Sequence, residues 1–387
     1  MQTFVDKKFG DLSFVDIQRK IRNEYKFIDI DNLKSCLIYG ASKEAELFIK
    51  ECKKENILIS GVIDDVKRGY FAGYRISNSL NIRKKINLPI IICTHRYGRV
   101  VEKLNKLKIK NFIPLGTLQV LRPKIFKCHN FYKGWIEELD QNIKKYSKLE
   151  KIFKESKSKK VWKNYMMFKY TFNPKYLNSI LSFKQKIFRF TFPRKPNLNI
   201  SDKEIFIDGG GWTGDSVEAF LKKYKKFKKI FVYEPNYKFY RHMKNKFKKR
   251  SIILKNCGMG DKNRVSNFYN NDDDSSNFIK GDKYSKPTKV RTEIIDNLNL
   301  KDENITIKMN IEGYEKSALV GAKKAIMNNN TNLMICLGHT PKDLVQILSF
   351  ITSLGKKYEY FLRLNDYNIA ELNLYAVDRG RIKNKRI

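Results

Sequence analysis

The first 122 residues alternate apolar runs with amphipathic stretches. Four apolar runs have the length of buried strands, and helical spacing follows the first of them in "KEAELFIKECKKE". The four runs are "KSCLIYG", "ILISGVIDD", "LPIIICT" and "KNFIPLG". Strands that alternate with helices predict a small, doubly wound parallel sheet. Residues 1–122 are therefore predicted to form an α/β domain.

The next segment, residues 123–200, has a different periodicity. Its apolar residues recur at intervals of three and four, which predicts an amphipathic helix. They are Ile136, Leu139, Ile143, Tyr146, Leu149 and Phe153. The stretch "KSKKVWKNYMMFKYTF" continues in this style, and the prolines of "FPRKPNLNISD" mark the next boundary. We expect a helical connector here.

Residues 201–387 return to strands and helices. In "EIFIDGGGWTGDS" (204–216) a short apolar strand leads into three consecutive glycines and then Gly214, and a helix pattern starts at Asp215. The glycines thus lie in a strand-to-helix turn at the carboxyl edge of a sheet, where ligands bind, and the missing Cβ atoms let a ligand approach the backbone. A tight turn with nothing bound is the alternative.

Further strand patterns follow the glycine turn. They are "KKIFVYEPN", "SIILKNCG", "ITIKMNIEG" and "NLMICLGH". Glu234 ends the first of them, at the position from which an acid accepts hydrogen bonds from both hydroxyls of a ribose. The last two runs, "YEYFLRL" and "LNLYAVD", alternate apolar and polar residues and predict an antiparallel pair.

Composition indicates a folded protein of two or three domains. The chain has 387 residues, of which 42% are hydrophobic and 13% aromatic. Six cysteines and four histidines are scattered without metal-ligand spacing, so we expect reduced core cysteines and no metal site. The chain has no long apolar run, and "MQTFVDKKFG" lacks the apolar core of a signal peptide, which predicts a cytoplasmic protein.

The net charge of +39 is spread along almost every segment. No nucleic-acid-binding module accompanies it, so we expect no specific nucleic-acid partner. A weak attraction to the inner face of an anionic membrane stays open. The acidic stretch at 270–287, with Asp272, Asp273 and Asp274, is predicted to be a solvated loop and a candidate lid over the site, not a metal centre.

The amino-terminal pattern "IYGASKEAE…GVIDD" resembles the Rossmann-like domains that precede some bacterial sugar-modifying enzymes. Gly40, Ser42 and Ala45 stand where a dinucleotide fingerprint has three glycines. The second glycine lets the backbone reach a pyrophosphate, so its replacement argues against tight NAD(P) binding. We expect a structural or partner-binding domain.

Asp208, Gly210 and Gly214 follow the D-x-G-x-x-x-G arrangement of methyltransferases that use S-adenosylmethionine (SAM). Over residues 140–380 the chain resembles the FkbM family of these enzymes in seven stretches. They are "FIDGGGWTGDS", "VYEPN", "KNCGMGD", "VRTEIIDNL", "IKMNIEGYEKSALVGAKKAI", "CLGHTPKDL" and "FLRLNDYNIAELNLYAV". The resemblance implies a class I methyltransferase fold, an α/β sheet of seven strands with the last strand reversed, behind the smaller Rossmann-like domain and the connector.

The resemblance also implies a function. The family transfers the methyl group of SAM to hydroxyl groups of glycans or natural products, so we expect O-methylation of a sugar, nucleotide sugar or lipid-linked glycan in surface polysaccharide biosynthesis. Two alternatives stay open. The charge would suit a nucleic-acid methyltransferase, and a non-enzymatic SAM-binding scaffold would explain Asn310, which stands where the family usually has an aspartate.

Candidate site residues follow from the same motifs. Asn310 can hydrogen-bond but cannot act as a base. Glu312, Glu315 and His339 are candidates to take the acceptor's proton, and Glu312 and His339 are predicted to be the catalytic residues. The predicted cofactor-binding residues are Asp208, Gly210, Gly214, Glu234, Asn256, Cys257 and Asn310. Lys308 and Glu315 are predicted to bind substrate. Alternatively, His339 caps a helix that begins near Pro341, and the two glutamates pair with Lys308 or orient their loop.

Overall fold

The chain folds as two units. The structure is a computed structural model that describes residues 14–82, 87–94, 97–126, 134–181, 192–193, 195–269, 287–365 and 372–381. Unit 1 comprises Met1–Lys144 and Trp162–Leu181, and unit 2 comprises Lys145–Val161 and Ser182–Ile387. The predicted connector is therefore divided between the two units.

Unit 1 contains a six-stranded sheet in the order β3-β4-β2-β1-β5-β6. All neighbouring strands are parallel except the short β3–β4 hairpin. Its elements are α1 (Phe14–Glu24), β1 (Ser35–Tyr39), α2 (Lys43–Lys54), β2 (Leu58–Ile63), β3 (Tyr70–Phe71), β4 (Tyr74–Ser77), β5 (Ile90–Ile92), α3 (Tyr97–Lys106), β6 (Phe112–Pro114) and α4 (Leu115–Leu121). The predicted doubly wound sheet is confirmed.

Three helices follow unit 1's sheet along the chain. They are α5 (Trp135–Glu150), α6 (Ser156–Thr171) and α7 (Lys175–Asn178). The predicted amphipathic pattern is confirmed in α5, where Leu139 and Tyr146 are almost fully buried. Within unit 1, the buried Lys169 of α6 pairs with Glu138 of α5 at 3.2 Å. Helices α5 and α6 each contribute residues to both units.

Unit 2 contains a seven-stranded sheet in the order β15-β16-β14-β13-β7-β8-β9. Its elements are β7 (Ile205–Gly209), α8 (Asp215–Lys223), β8 (Lys229–Tyr233), α9 (Tyr237–Lys246), β9 (Ile252–Lys255), β13 (Asn304–Met309), α10 (Glu315–Val320), α11 (Lys323–Met327), β14 (Asn330–Cys336), α12 (Asp343–Ser353), β15 (Tyr358–Leu364) and β16 (Leu372–Asp378). Only β16 runs against its neighbours. The predicted sheet with a reversed last strand is confirmed.

A small second sheet in unit 2 lies between β9 and β13 along the chain. It has the order β10-β12-β11 and consists of β10 (Gly258–Met259), β11 (Arg264–Tyr269) and β12 (Pro287–Glu293). The predicted lid and its three aspartates fall in 270–286, outside the described residues.

A buried ion pair anchors the amino ends of two central strands of unit 2. Glu204 directly precedes β7 and is fully buried. Its carboxylate accepts hydrogen bonds from the Thr306 hydroxyl of β13 at 2.7 Å and from the Arg381 guanidinium. The two strands are therefore fixed at this edge, and their carboxyl ends meet at the opposite edge.

The cysteines that the structure describes lie in the cores. Five of them are free and buried, as predicted, and His95, Cys128 and His129 lie outside the described residues. The five are Cys36, Cys52, Cys93, Cys257 and Cys336. Among the helices that the structure describes, none is long and apolar enough to cross a membrane.

Candidate functional site

The glycine turn after β7 is held tightly against the protein's own chain. Gly210 has φ +74°, and a Cβ atom there would lie 2.2 Å from the carbonyl oxygen of Asn310. Gly214 has φ +83°, and its Cβ would lie 2.4 Å from the Phe247 ring. These contacts within the chain are enough to require both glycines, as the alternative of a tight turn with nothing bound predicts. The approach of a ligand to this turn stays a prediction.

A buried ion pair connects the glycine turn to β13. Asp208 is fully buried, and its Oδ1 lies 2.9 Å from Nζ of Lys308, while its Oδ2 accepts a hydrogen bond from the Ser216 hydroxyl. Lys308 also donates to the carbonyl oxygens of Gly209 at 3.1 Å and Gly210 at 2.9 Å. Burial lowers the pKa of Lys308, but the Asp208 carboxylate raises it, and the net shift is upward. The charged lysine therefore clamps the turn onto the sheet.

Glu234 occupies the end of β8 beside the glycine turn. Its carboxylate accepts hydrogen bonds from the backbone N–H groups of Trp212 at 2.8 Å and Asn236 at 2.7 Å. Each carboxylate oxygen has a second lone pair that can accept another hydrogen bond. Burial raises the pKa of Glu234 to about 7, because the charged form loses hydration. The group is thus poised between its two protonation states near neutral pH.

Asn256 and Cys257 lie next to Glu234, just after β9. The Asn256 amide donates to the carbonyl oxygens of Glu234 at 2.9 Å and Pro235 at 3.1 Å, so it fixes the loop after β8. Cys257 is buried, and burial raises the pKa of its thiol to about 12. Cys257 is therefore a buried, uncharged thiol. Asn256 fixes the loop that carries Glu234.

Asn310 ends β13 with an unsatisfied polar atom. Its backbone N–H donates to the Gly209 carbonyl oxygen at 3.2 Å. Its side-chain Oδ1 is buried, yet no donor in the described part of the chain reaches it. A buried acceptor without a donor costs about 1–3 kcal/mol. The side chain therefore offers a position where a donor on a bound molecule would recover that cost.

The turn after β13 presents Glu312 in a strained conformation. Glu315 is fully buried, and its carboxylate accepts hydrogen bonds from the backbone N–H groups of Ile311 at 2.8 Å and Gly313 at 2.9 Å. This turn holds Glu312 at φ +55°, a left-handed conformation that costs a residue with a side chain about 1–3 kcal/mol. The Glu312 side chain is 28% exposed. Glu315 therefore fixes the shape of the turn, and the Glu312 side chain is partly exposed to solvent.

His339 follows β14 and lies between the two glutamates. Its Nδ1 is 2.9 Å from Glu315 Oε1, and its Nε2 is 3.4 Å from Glu312 Oε1. Burial lowers the pKa of His339, but Cys336, Glu312 and Glu315 together raise it well above its ordinary value. The two carboxylates beside the ring therefore favour its protonated form.

Comparison with known proteins identifies a family for part of unit 2. Residues 207–358 match the model of the methyltransferase FkbM domain. Residues 207–358 form an FkbM methyltransferase domain. No curated protein matches the sequence.

Two solved structures illustrate the extent of the similarity. A methyltransferase FkbM from Methylobacillus flagellatus KT is 18% identical, covers 94% of this chain and 98% of its own, and has a TM-score of 0.72. It shares the fold. An rRNA methylase from Streptococcus thermophilus is 13% identical over 46% of this chain and 88% of its own, with a TM-score of 0.29, a value too low to support an argument.

The predicted site residues of the FkbM domain all follow β7, β8, β9, β13 or β14, or end those strands, so they share one edge of the sheet. Lys308 and Glu315 are buried and engaged by their own chain. Their contacts favour a structural role, in which they hold the loops in place. These contacts give less support to the prediction that they bind substrate directly. The roles of the other residues stay predictions.

One residue of this cluster is absent from the sequence prediction. Asp343 in α12 is buried and accepts hydrogen bonds from the Thr340 backbone N–H at 2.6 Å and from its hydroxyl. The spacing of Thr340 and Asp343 is that of a capping box, which was the available signal. These contacts hold the turn before α12, whose N-cap position is Lys342 and not His339. Burial and the nearby Glu315 raise the pKa of Asp343 to about 6.

Glu315, His339 and Asp343 offer potential metal-ligand atoms within 4.8 Å of one another. Both oxygens of Glu315 already accept backbone hydrogen bonds, and both oxygens of Asp343 are bonded to Thr340. The contacts therefore favour a hydrogen-bonded network over a metal centre.

The glycine turn yields a test that needs no ligand. Gly210→Ala should destabilise the FkbM domain by at least about 3 kcal/mol, because left-handed strain adds to a collision with the Asn310 carbonyl. Gly355 is the matched control, since it has φ +69° and open space around its Cβ position. Gly355→Ala should cost about 1 kcal/mol. Urea unfolding measures both; equal losses would refute the collision.

Proposed function

We propose that this chain is a SAM-dependent O-methyltransferase that modifies a hydroxyl group of a sugar or glycan precursor. The observation that carries the proposal is the displayed Glu312 carboxylate, held in a strained turn beside the buried His339 ring. Backbone strain that the surrounding structure maintains is typical of functional sites. The FkbM domain supports the methyltransferase activity, and the resemblance found in the sequence supports the hydroxyl acceptor.

Several groups at the sheet edge fit SAM. The free lone pairs of the Glu234 carboxylate can accept hydrogen bonds from ribose hydroxyls. The unsatisfied Oδ1 of Asn310 can accept a hydrogen bond from an ammonium group such as the one in the amino-acid part of SAM. Asp208 is fully engaged by Lys308 and Ser216, so it would act by shaping the turn. SAM supplies a methyl group that its sulfonium already activates.

The two candidate catalytic residues take different roles in this proposal. Methylation of a hydroxyl group releases its proton, and a carboxylate at the acceptor oxygen can take it. Glu312 is partly exposed and suits that role. The raised pKa of His339 favours its protonated form and makes it a poor proton acceptor, so in this proposal it acts as a positioning residue beside the Glu312 carboxylate, with its Nε2 3.4 Å from Oε1. Glu315 in turn holds His339.

The proposed acceptors are nucleotide sugars, free sugars or lipid-linked glycans, met in the cytoplasm or at the inner face of the membrane. A direct test compares surface glycans from cells with and without this gene by mass spectrometry. We expect loss of one methyl substituent when the gene is absent. A purified protein that methylates RNA or DNA, or one that binds SAM and methylates none of these acceptors, would reject the proposal in favour of the nucleic-acid or scaffold alternative.

The raised pKa of Glu234 predicts how SAM affinity depends on pH. The ionised carboxylate is the stronger acceptor, so affinity should rise about tenfold from pH 6 to pH 8 as the group ionises through a pKa of about 7. Glu234→Gln should weaken binding and flatten this dependence. Glu218→Gln on α8 is the control and should keep the wild-type profile. Calorimetric titration at several pH values measures each affinity.

The stability of the unliganded protein should change with pH in the direction opposite to the change in SAM affinity. The folded-state pKa of Glu234 lies above the ordinary value of 4.5 for a glutamate, so its contribution to stability is complete below about pH 4.5 and is lost as pH rises through about 7. A pH-independent SAM affinity in the wild-type protein would contradict the ribose assignment.

The role of Glu312 predicts a specific kinetic effect. Glu312→Gln should lower kcat at least about 100-fold, because general bases contribute that much or more, while SAM affinity stays unchanged. Glu303→Gln is the control, since Glu303 directly precedes the same strand at its opposite end. His339→Gln should lower kcat and shift its pH profile. Full kcat in the Glu312 variant on an identified acceptor would remove the base assignment.

A further inference from the structure

Unit 1 has a cavity of about 510 Å³ at the carboxyl ends of its parallel strands. The loops after β1, β2 and β5 and the start of α3 line it. The chain leaves β1 towards β2 on one side, and β5 lies on the other side, so the cavity occupies the switch point of the sheet. Ligands of open α/β sheets bind at that position, and the volume is within the range of small-molecule sites.

Both acids of the cavity are committed to the protein itself. Asp64 accepts hydrogen bonds from the backbone N–H groups of Ala41, Val66 and Lys67. Asp65 accepts one from the Tyr39 hydroxyl and pairs with Lys103 at 2.6 Å. Their negative charges hold the loops together.

Two basic side chains of the cavity have no such carboxylate partner. Lys67 donates to the carbonyl oxygen of Ala41 at 2.6 Å, and neither its ammonium nor the exposed Arg99 guanidinium lies within ion-pair distance of a described carboxylate. Asp65 pairs with Lys103, and Lys67 lowers the pKa of the Asp64 carboxyl group. The three cations and two acids of the lining leave a net charge of +1, which gives the cavity its capacity for an anion. A guanidinium and an ammonium together suit a phosphate group.

The rest of the lining includes apolar surface. Val66 is 71% exposed at the cavity, and Val100 and the Tyr39 ring line it as well. An exposed apolar side chain beside two cations suits a ligand that has a ring at one end and phosphate at the other. Inorganic phosphate alone would leave most of the volume empty.

Ser42 restricts the ligand further. Its hydroxyl donates to the Cys93 carbonyl oxygen at 2.7 Å and accepts from the Ala45 N–H at 3.2 Å. It therefore fills the place at the start of α2 that a pyrophosphate occupies in dinucleotide sites, so phosphate groups in this cavity would have to lie away from α2, towards Lys67 and Arg99. The expectation of no tight NAD(P) binding agrees with this contact.

We propose that unit 1 binds a nucleoside diphosphate in this cavity, with the phosphates at Lys67 and Arg99 and the ring system against Val66. The sequence prediction of a purely structural or partner-binding domain is thereby extended. The proposed site is separate from the FkbM domain and does not depend on its activity.

Calorimetry of the full chain with uridine diphosphate tests the proposal. We expect saturable binding, which Arg99→Ala and Lys67→Ala should each weaken at least tenfold. Arg75→Ala is the matched control, because Arg75 is an exposed arginine of unit 1 on β4 outside the cavity. The thermal unfolding midpoint of each variant should equal that of the wild type, since the replaced side chains are exposed or bonded only to a carbonyl.

Three further ligands separate the possible outcomes. Inorganic phosphate and NAD should each bind much more weakly than uridine diphosphate. Excess S-adenosylhomocysteine should leave uridine diphosphate binding unchanged; displacement would place the nucleotide in unit 2 and overturn the proposal. It is equally overturned by the absence of saturable binding, or by binding that survives in the Lys67→Ala, Arg99→Ala double variant.

Discussion

The ion pair between Asp208 and Lys308 determines the arrangement of the candidate site. It joins the carboxyl ends of β7 and β13, and Lys308 draws the carbonyl oxygens of the glycine turn towards the sheet. Removing one partner of such a pair leaves a buried, uncompensated charge, which costs about 3–5 kcal/mol. Because the turn is held so close to β13, only a glycine fits at position 210. The backbone of Asn310 is fixed by the same close approach.

Local pattern predicted the strands that are buried on both faces, because such strands are continuous apolar runs. It missed β3, β4 and β10, which have only two to four residues and no apolar run. It also did not predict the small second sheet, since most residues of β11 and β12 are exposed or half-buried. Strand order came from the family resemblance, because the pairing of distant strands leaves no trace in local periodicity.

The candidate site was predictable in position but not in detail. Acids at strand ends share one edge of a parallel sheet, so the sequence predicted that Glu234 and Glu312 lie at that edge. Glu312 and Glu315 are three residues apart and look equivalent in sequence, yet one is displayed and the other is fully buried. That difference depends on how the turn packs against His339 from another strand. The raised pKa of His339 follows from the same non-local contacts.

Unit 1 is assembled from two separate stretches of the chain, and the stretch 145–161 between them belongs to unit 2. On the ribosome, unit 1 cannot be completed until residue 181 has emerged, although its sheet ends at Pro114. For the same reason, no single proteolytic cut yields two complete units. Because residues 145–161 interrupt unit 1, its completion also depends on segments that are synthesised after its sheet.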